Sequence, residues 1–257
     1  MARLNPRNQA PSARLAALAL LHGVLDRRLP LDEAFEDAQA AAGLAPRDRG
    51  FARALAATVL RRLGQIDAVV AACLQKPLTP KARAVENILR LGVAQLLFLG
   101  TPAHAAVAET VSLTQGRLGA YTSLTNAVLR RVAREGAVLI DGQDEVRLNT
   151  PPWLAQSWQA AYGPEAARDI ARAHLQEAAL DLTVKGDAGR WATTLDAERL
   201  PTGSLRYRGD TAVGDLPGYA DGAWWVQDAA AALPARLLGD VRGQHMIDLC
   251  EIGRAHV

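Results

Sequence analysis

An aspartate and a cysteine at the end of a short apolar run are the residues best placed to do chemistry. The run Met246–Cys250 reads Met-Ile-Asp-Leu-Cys. In doubly wound sheets a ligand lies beyond the carboxyl end of the first strand, so Asp248 is a candidate cofactor-binding carboxylate. Capping of a following helix explains Asp248 equally well. Cys250 could supply a nucleophilic thiolate. The glycine-rich turn that completes a nucleotide-binding site in doubly wound sheets does not follow it in the sequence.

Arginines form the second set of candidates, because a planar guanidinium matches the oxygens of phosphate. Residues 1–136 contain 18 Arg and Lys against 10 Asp and Glu (net +8), whereas residues 137–257 contain 11 against 17 (net −6). The first half therefore suits a polyanion such as a nucleic acid. For Arg130 and Arg131 an ordinary solvated helix end is an equally good interpretation. The candidate RNA-binding residues are Arg3, Arg7, Arg14, Arg130, Arg131 and Arg134.

Cysteine and histidine usage argues against several kinds of site. Cys73 and Cys250 lie far apart, which indicates a reducing, cytoplasmic compartment rather than a disulfide framework. The five histidines have no spacing typical of metal ligands, so we predict no metal site. No apolar run reaches the roughly 20 residues of a membrane span, so no membrane partner is expected. The sequence does not indicate an oligomeric state.

Apolar residues at helical spacing predict that the first half is a bundle of helices. Aromatic residues make up only 5% of the chain, so the core must be built from Ala, Leu and Val, which favours packed helices. Short connections between the helices favour antiparallel neighbours. Cys73 should be buried as a small hydrophobic residue. The seven predicted helices begin with one capped by Ser12 and continue with Leu31–Ala42, Pro46–Gly64, Ile66–Leu74, Lys81–Leu99, Ala105–Gln115 and Thr122–Glu135.

Beyond Gly136 the pattern becomes a mixture of helices and short strands. A helix should follow Pro151-Pro152 and break at Gly163-Pro164. Alternation of apolar and polar residues predicts strands over Leu180–Lys185 and Leu205–Arg208. The apolar Trp224-Trp225-Val226 then leads into an Ala/Leu-rich helical segment, as at the entry to a doubly wound domain.

Two ordered motifs near the carboxyl end carry a family resemblance. Val226–Ala230 reads Val-Gln-Asp-Ala-Ala, and Ile247–Cys250 reads Ile-Asp-Leu-Cys. This string closely resembles the entry to the catalytic domain of the RsmB (Sun/Fmu) family of S-adenosylmethionine-dependent ribosomal RNA cytosine-C5 methyltransferases. In that family Asp-Leu-Cys continues as Ala-Ala-Pro-Gly-Gly-Lys-Thr, the loop that holds the cofactor. The resemblance places Asp248 and Cys250 at the cofactor site, and it argues against Cys250 as the nucleophile.

A second resemblance covers the helical half. Asp48–Arg53 together with Thr125–Arg131 is similar to the NusB fold, an RNA-binding bundle that is also the amino-terminal domain of the RsmB family. Within the second motif, Asn126 is expected to hydrogen-bond inside the bundle. The sequence from Pro151-Pro152-Trp153-Leu154 to Leu180–Lys185 is similar to the small α+β subdomain of the same family. The resemblance thus extends over residues 1–250.

The two resemblances imply a mainly α architecture in ordered parts. We predict a NusB-like all-α RNA-binding bundle at 1–140, a small α+β subdomain at 141–215 and the first elements of a truncated Rossmann-like methyltransferase domain at 216–250. The tail Glu251–Val257 matches what a common sequencing-adapter DNA encodes in one frame, so we predict a non-native tail at 251–257. A natural short terminus is the alternative.

The resemblance also implies a function. The parent protein would methylate cytosine in small-subunit ribosomal RNA with S-adenosylmethionine, using a cysteine thiolate that attacks carbon 6 of the base. The catalytic residues would lie beyond Cys250, so this chain should bind RNA without catalysing methylation or binding the cofactor. A stand-alone NusB-like RNA-binding module of the transcription-antitermination type is the alternative.

Overall fold

The computed structural model describes residues 12–209, 211 and 213–247 of the chain. It divides the chain into two compact units, Met1–Gln176 and Glu177–Val257. The predicted boundaries at 140/141 and 215/216 do not coincide with this division, and they stay predictions. The fold class is confirmed, because helices dominate and a small antiparallel sheet lies in the second unit.

From residue 12 onward, the first unit contains all seven predicted helices and two more. Both helices beyond the seven come after the bundle, and the longer one has a non-helical residue at Gly163, where the predicted break lies. The helices are α1 (Ala13–Leu21), α2 (Leu31–Ala42), α3 (Pro46–Arg61), α4 (Leu63–Cys73), α5 (Arg83–Leu97), α6 (Ala103–Ser112), α7 (Thr122–Asp141), α8 (Glu145–Asn149) and α9 (Pro152–His174).

Helix α5 lies at the centre of the core of the first unit. It buries a continuous set of side chains and contacts α1, α3, α4, α6 and α7. Close approach to α7 depends on two glycines, since a Cβ on Gly92 would overlap Leu129 and a Cβ on Gly136 would overlap Leu97. Because the two helices approach this closely, small and medium side chains such as Ala and Leu can fill the core between them.

The end of α1 departs from regular helical geometry. Ser12 caps the start of α1 by accepting a hydrogen bond from the backbone N–H of Leu15 at 3.1 Å. After Leu21 the chain continues as one π-helical turn, His22–Asp26. Arg28 then adopts a left-handed conformation with φ 59°.

Helices α4 and α8 are joined by hydrogen bonds and by a close backbone contact. A Cβ on Gly64 would overlap the carbonyl oxygen of Leu148, so only glycine allows this approach. The Asn149 side chain accepts from the backbone N–H of Gln65 at 3.1 Å and donates to Gln65 Oε1 at 2.9 Å. Arg62 adds a bond to Glu145 at 3.1 Å. These contacts hold α8 against the bundle.

The second unit is a four-stranded sheet in the order β2-β3-β1-β4, with antiparallel neighbours throughout. Leu182, Leu205 and Trp224 from three strands meet Leu195 in one apolar cluster. The elements are β1 (Leu180–Val184), α10 (Ala188–Leu195), β2 (Glu198–Arg199), β3 (Leu205–Tyr207), β4 (Trp224–Val226) and α11 (Leu233–Leu237).

Strand β4 lies at the edge of this antiparallel sheet. It pairs with β1, with Thr183 opposite Trp225. Trp224 fixes this arrangement, because its side chain is buried and its Nε1 donates to the Pro217 carbonyl at 2.8 Å. The run Met246–Cys250, which the sequence predicts as the end of a strand, is irregular and exposed at Met246 and Ile247, and its last three residues lie outside the described part of the chain.

Candidate nucleic-acid interface

One side of α7 faces solvent and carries Arg130 and Arg134, two of the predicted RNA-binding arginines. The opposite side, with Val128, Leu129 and Val132, is buried in the bundle, so residues three or four apart on the outer side form a single row. We call this row the α7 face; it consists of Ser123, Ala127, Arg130, Arg134 and Val138, all exposed.

Glu135 moderates the charge of this region. It accepts a hydrogen bond from Arg131 Nε at 2.8 Å, and Arg134 lies 3.6 Å from its other oxygen. The hydrogen bond from Arg131 lowers the pKa of Glu135. Arg130 forms no ion pair with any residue that the structure describes, so it is the most available phosphate ligand of the set.

The carboxyl end of α4 lies beside these arginines. Cys73 is buried there as predicted, and burial raises the pKa of its thiol although the nearby Arg131 opposes that rise. A neutral, buried thiol is a packing residue rather than a nucleophile. The exposed Lys76 follows three residues later, so it adds a cation at this end of α4.

Arg14 does not have the position expected of an RNA ligand. Its Nε donates to the buried Gln95 at 2.6 Å, its guanidinium lies over the Phe51 ring at 5.4 Å, and Glu109 is 3.8 Å away. Gln95 in turn donates a hydrogen bond to Thr110 Oγ1 at 3.0 Å. Arg14 thus links four helices of the bundle, and we do not include it in the proposed interface.

The other predicted site residues fall outside the part of the chain that the structure describes. These are Arg3, Arg7, Asp248 and Cys250. Asn126 is half-buried, and contrary to expectation it has no side-chain hydrogen bond to another described residue. The described residues contain no group of three His, Cys, Asp or Glu side chains that could hold a metal ion. No helix among them is long and apolar enough to cross a membrane.

The Val-Gln-Asp-Ala-Ala motif has a structural role. Gln227 Oε1 accepts from the Thr183 hydroxyl at 2.9 Å and from Trp225 Nε1 at 3.2 Å, which ties the motif to β1 and β4. Asp228 caps the turn that follows by accepting from the backbone N–H groups of Ala230 and Ala231 at 2.8 and 3.1 Å.

Sequence reasoning missed a buried ion pair on the sheet. The Asp181 side chain, 3% exposed, accepts from Arg206 at 2.8 and 2.9 Å and from the backbone N–H of Ala229 at 3.2 Å. These bonds, chiefly those from Arg206, lower the pKa of Asp181. The alternation of residues in β1 predicts that the side chains of Asp181 and Leu182 point to opposite faces of the sheet. It does not identify Arg206 as the partner of Asp181.

Comparison with known proteins gives this arrangement a family. The NusB family model matches residues 11–134. Ribosomal RNA small subunit methyltransferase B of Pseudomonas putida is 33% identical over 96% of this chain and 58% of its own length. The protein of the same name from Vibrio cholerae is 32% identical over 93% of this chain and 58% of its own length.

A solved structure agrees with the fold. The crystal structure of PH0851 matches 92% of this chain and 56% of its own with a TM-score of 0.52 at 15% identity, which supports the fold alone. The chain spans a little over half the length of the curated relatives that it matches. On these similarities the chain belongs to the ribosomal RNA small subunit methyltransferase B family, and its residues 11–134 form a NusB-family domain.

Proposed function

We propose that this chain is the substrate-holding part of an S-adenosylmethionine-dependent methyltransferase that modifies carbon 5 of a cytosine in small-subunit ribosomal RNA. The supporting observation is the similarity to ribosomal RNA small subunit methyltransferase B along 96% of the chain. Such an enzyme must expose one base of a structured RNA, so a separate basic domain that holds the RNA is useful to it.

In this proposal the α7 face binds RNA phosphates. Arg130 and Arg134 lie one helical turn apart and point outward, and small side chains such as Ala127 beside them leave room for a backbone to approach. Each phosphate contact contributes about 0.7 to 0.9 to the slope of log affinity against log salt. Two contacts therefore make a measurable share of the salt dependence.

The residues for the cofactor are incomplete in this chain. Asp248 and Cys250 match the family pattern, but Glu251-Ile252-Gly253 follows instead of a Pro-Gly-Gly loop. S-adenosylmethionine supplies the methyl group when bound, and a cradle of backbone N–H groups is what such loops provide. The residues present do not fit the whole cofactor, so the proposed contribution of this chain is to hold RNA.

RNA binding by the full chain tests the proposal. Fluorescence anisotropy with transcribed bacterial small-subunit ribosomal RNA should show affinity that falls as salt rises. The double variant Arg130→Ala, Arg134→Ala should bind about tenfold or more weakly, with a salt slope reduced by about 1.4 to 1.8. The matched control Arg208→Ala, Arg242→Ala also removes two exposed, positively charged side chains, but from the acidic half, and should change little. Equal losses in both variants would contradict the role of the α7 face.

The NusB match over 11–134 also favours a second candidate, a NusB-like binding module without catalysis. Both candidates predict RNA binding and no S-adenosylmethionine binding by residues 1–257, as measured by calorimetry. A micromolar signal would contradict both. The genomic sequence after the Cys250 codon separates them, because only the enzyme requires a cofactor loop and a catalytic cysteine there.

A further inference from the structure

Arg28 occupies a backbone conformation that suits glycine. Its φ of 59° is one of two positive values at non-glycine residues in the described part of the chain, the other being 48° at Asp196. The backbone requires this conformation, since Arg28 closes the π-helical turn and the N–H of Leu29 bonds back to the carbonyl of Gly23 at 3.0 Å. Helix ends of this kind most often use glycine, because a Cβ is disfavoured there.

The Arg28 side chain makes no polar or aromatic contact within the described part of the fold. It is exposed, and it forms no ion pair, hydrogen bond or aromatic contact with any residue that the structure describes. Its neighbours are different, because Arg27 pairs with Asp37 at 3.1 Å. No contact in the described part of the fold explains an arginine in this disfavoured conformation, which motivates the hypothesis that its outward charge is used.

Asp26, two residues before Arg28, is already engaged by other side chains. Its Oδ2 lies 2.7 Å from His22 Nδ1, and its Oδ1 lies 3.6 Å from Arg83. Asn87 also donates to Asp26 at 3.4 Å. Arg28 is therefore not paired with the carboxylate nearest to it in the sequence.

We propose that Arg28, in the turn after α1, is an RNA phosphate ligand in addition to the α7 face. The inference rests on the proposed RNA-binding function. A guanidinium forms two parallel hydrogen bonds to phosphate, and the charge of the unit attracts RNA over a longer range. Placing that guanidinium at the turn requires the disfavoured left-handed backbone conformation of Arg28.

Replacement of Arg28 by glycine tests this without a folding defect. Arg28→Gly removes the disfavoured Cβ, so the melting temperature should stay equal or rise by up to about 3 °C. RNA affinity should fall by about threefold to tenfold, with the salt slope lower by about 1. Arg28→Lys keeps the charge and should retain most of the affinity. Asp196→Gly is the matched control, because it relieves the same conformation in the second unit and should leave RNA affinity within about twofold.

The outcomes separate this inference from the proposed function. Full-chain binding to transcribed small-subunit ribosomal RNA that weakens in both Arg28→Gly and Arg130→Ala, Arg134→Ala supports both. Binding that weakens only in the α7 variant overturns the role of Arg28 and leaves the α7 face intact. A parent chain that does not bind this RNA overturns both.

Discussion

Replacing Asp181 with asparagine should destabilise the second unit far more than the same change at an exposed carboxylate. Asp181 is nearly fully buried and receives three hydrogen bonds, two of them from Arg206. Asparagine keeps the shape but removes the charge, and its amide N–H2 faces a donor. Breaking a buried pair costs about 3–5 kcal/mol. Arg206 is 32% exposed and can be partly rehydrated, so we expect about 2–3 kcal/mol.

Differential scanning calorimetry of the full chain measures this effect. For a unit of fewer than 100 residues such a loss lowers the melting temperature by roughly 10–20 °C. The matched control is Glu198→Gln, which makes the same chemical change in the exposed pair of Glu198 with Arg208 at 3.1 Å. That pair should be worth no more than about 1 kcal/mol. If both variants lower the melting temperature equally, the buried pair does not stabilise the sheet as reasoned.

Two further predictions concern acid stability and the α4–α8 contact. Because the pKa of Asp181 is lower in the folded state, its contribution to stability is complete above about pH 5 and is lost as pH falls through 4 and below. Calorimetry should therefore show a melting temperature of the second unit that falls steeply in acid. Asp181→Asn should make this dependence on pH weaker. Gly64→Ala should lower the free energy of unfolding of the first unit in urea by about 2–4 kcal/mol, because the new Cβ overlaps Leu148 and separates Asn149 from Gln65. Gly50→Ala is the control and should be neutral or stabilising, because Gly50 has open space around it. Equal effects of the two variants would refute the close contact.

The helices of the first unit could be predicted because their signals are local. Ser12 as a cap, Leu31–Ala42 as a helix and the break at Gly163 each follow from a few neighbouring residues. The π-helical turn at His22–Asp26 could not be predicted from a local pattern; it contains Gly23, which packs so closely on Ala34 that a Cβ would overlap it. The short helix α8 was missed for a similar reason, because contacts with α4 hold its five residues.

The sheet and the candidate interface depend on partners far apart in sequence. Trp224–Val226 pairs with Leu182–Val184 of β1, and Trp224 also bonds to Pro217, so its place in the sheet depends on residues outside its own run. The charge of Arg14 predicts an RNA ligand, but its partner Gln95 lies 81 residues away. Arg130 and Arg134, in contrast, share a face through the helical period alone.

The net charge of the first half acts at two ranges, and different residues serve each. Ion pairs such as Arg90 with Asp67 leave the net charge unchanged, so in the proposed function the excess of +8 over residues 1–136 would still steer an RNA toward the protein. Contact with phosphate, however, needs a guanidinium that is free to leave its internal partners. Arg14 and Arg90 are held inside the bundle, whereas Arg28 and Arg130 are exposed and unpaired among the described residues. Neutralising a held arginine should therefore weaken folding, and neutralising a free one should weaken RNA binding.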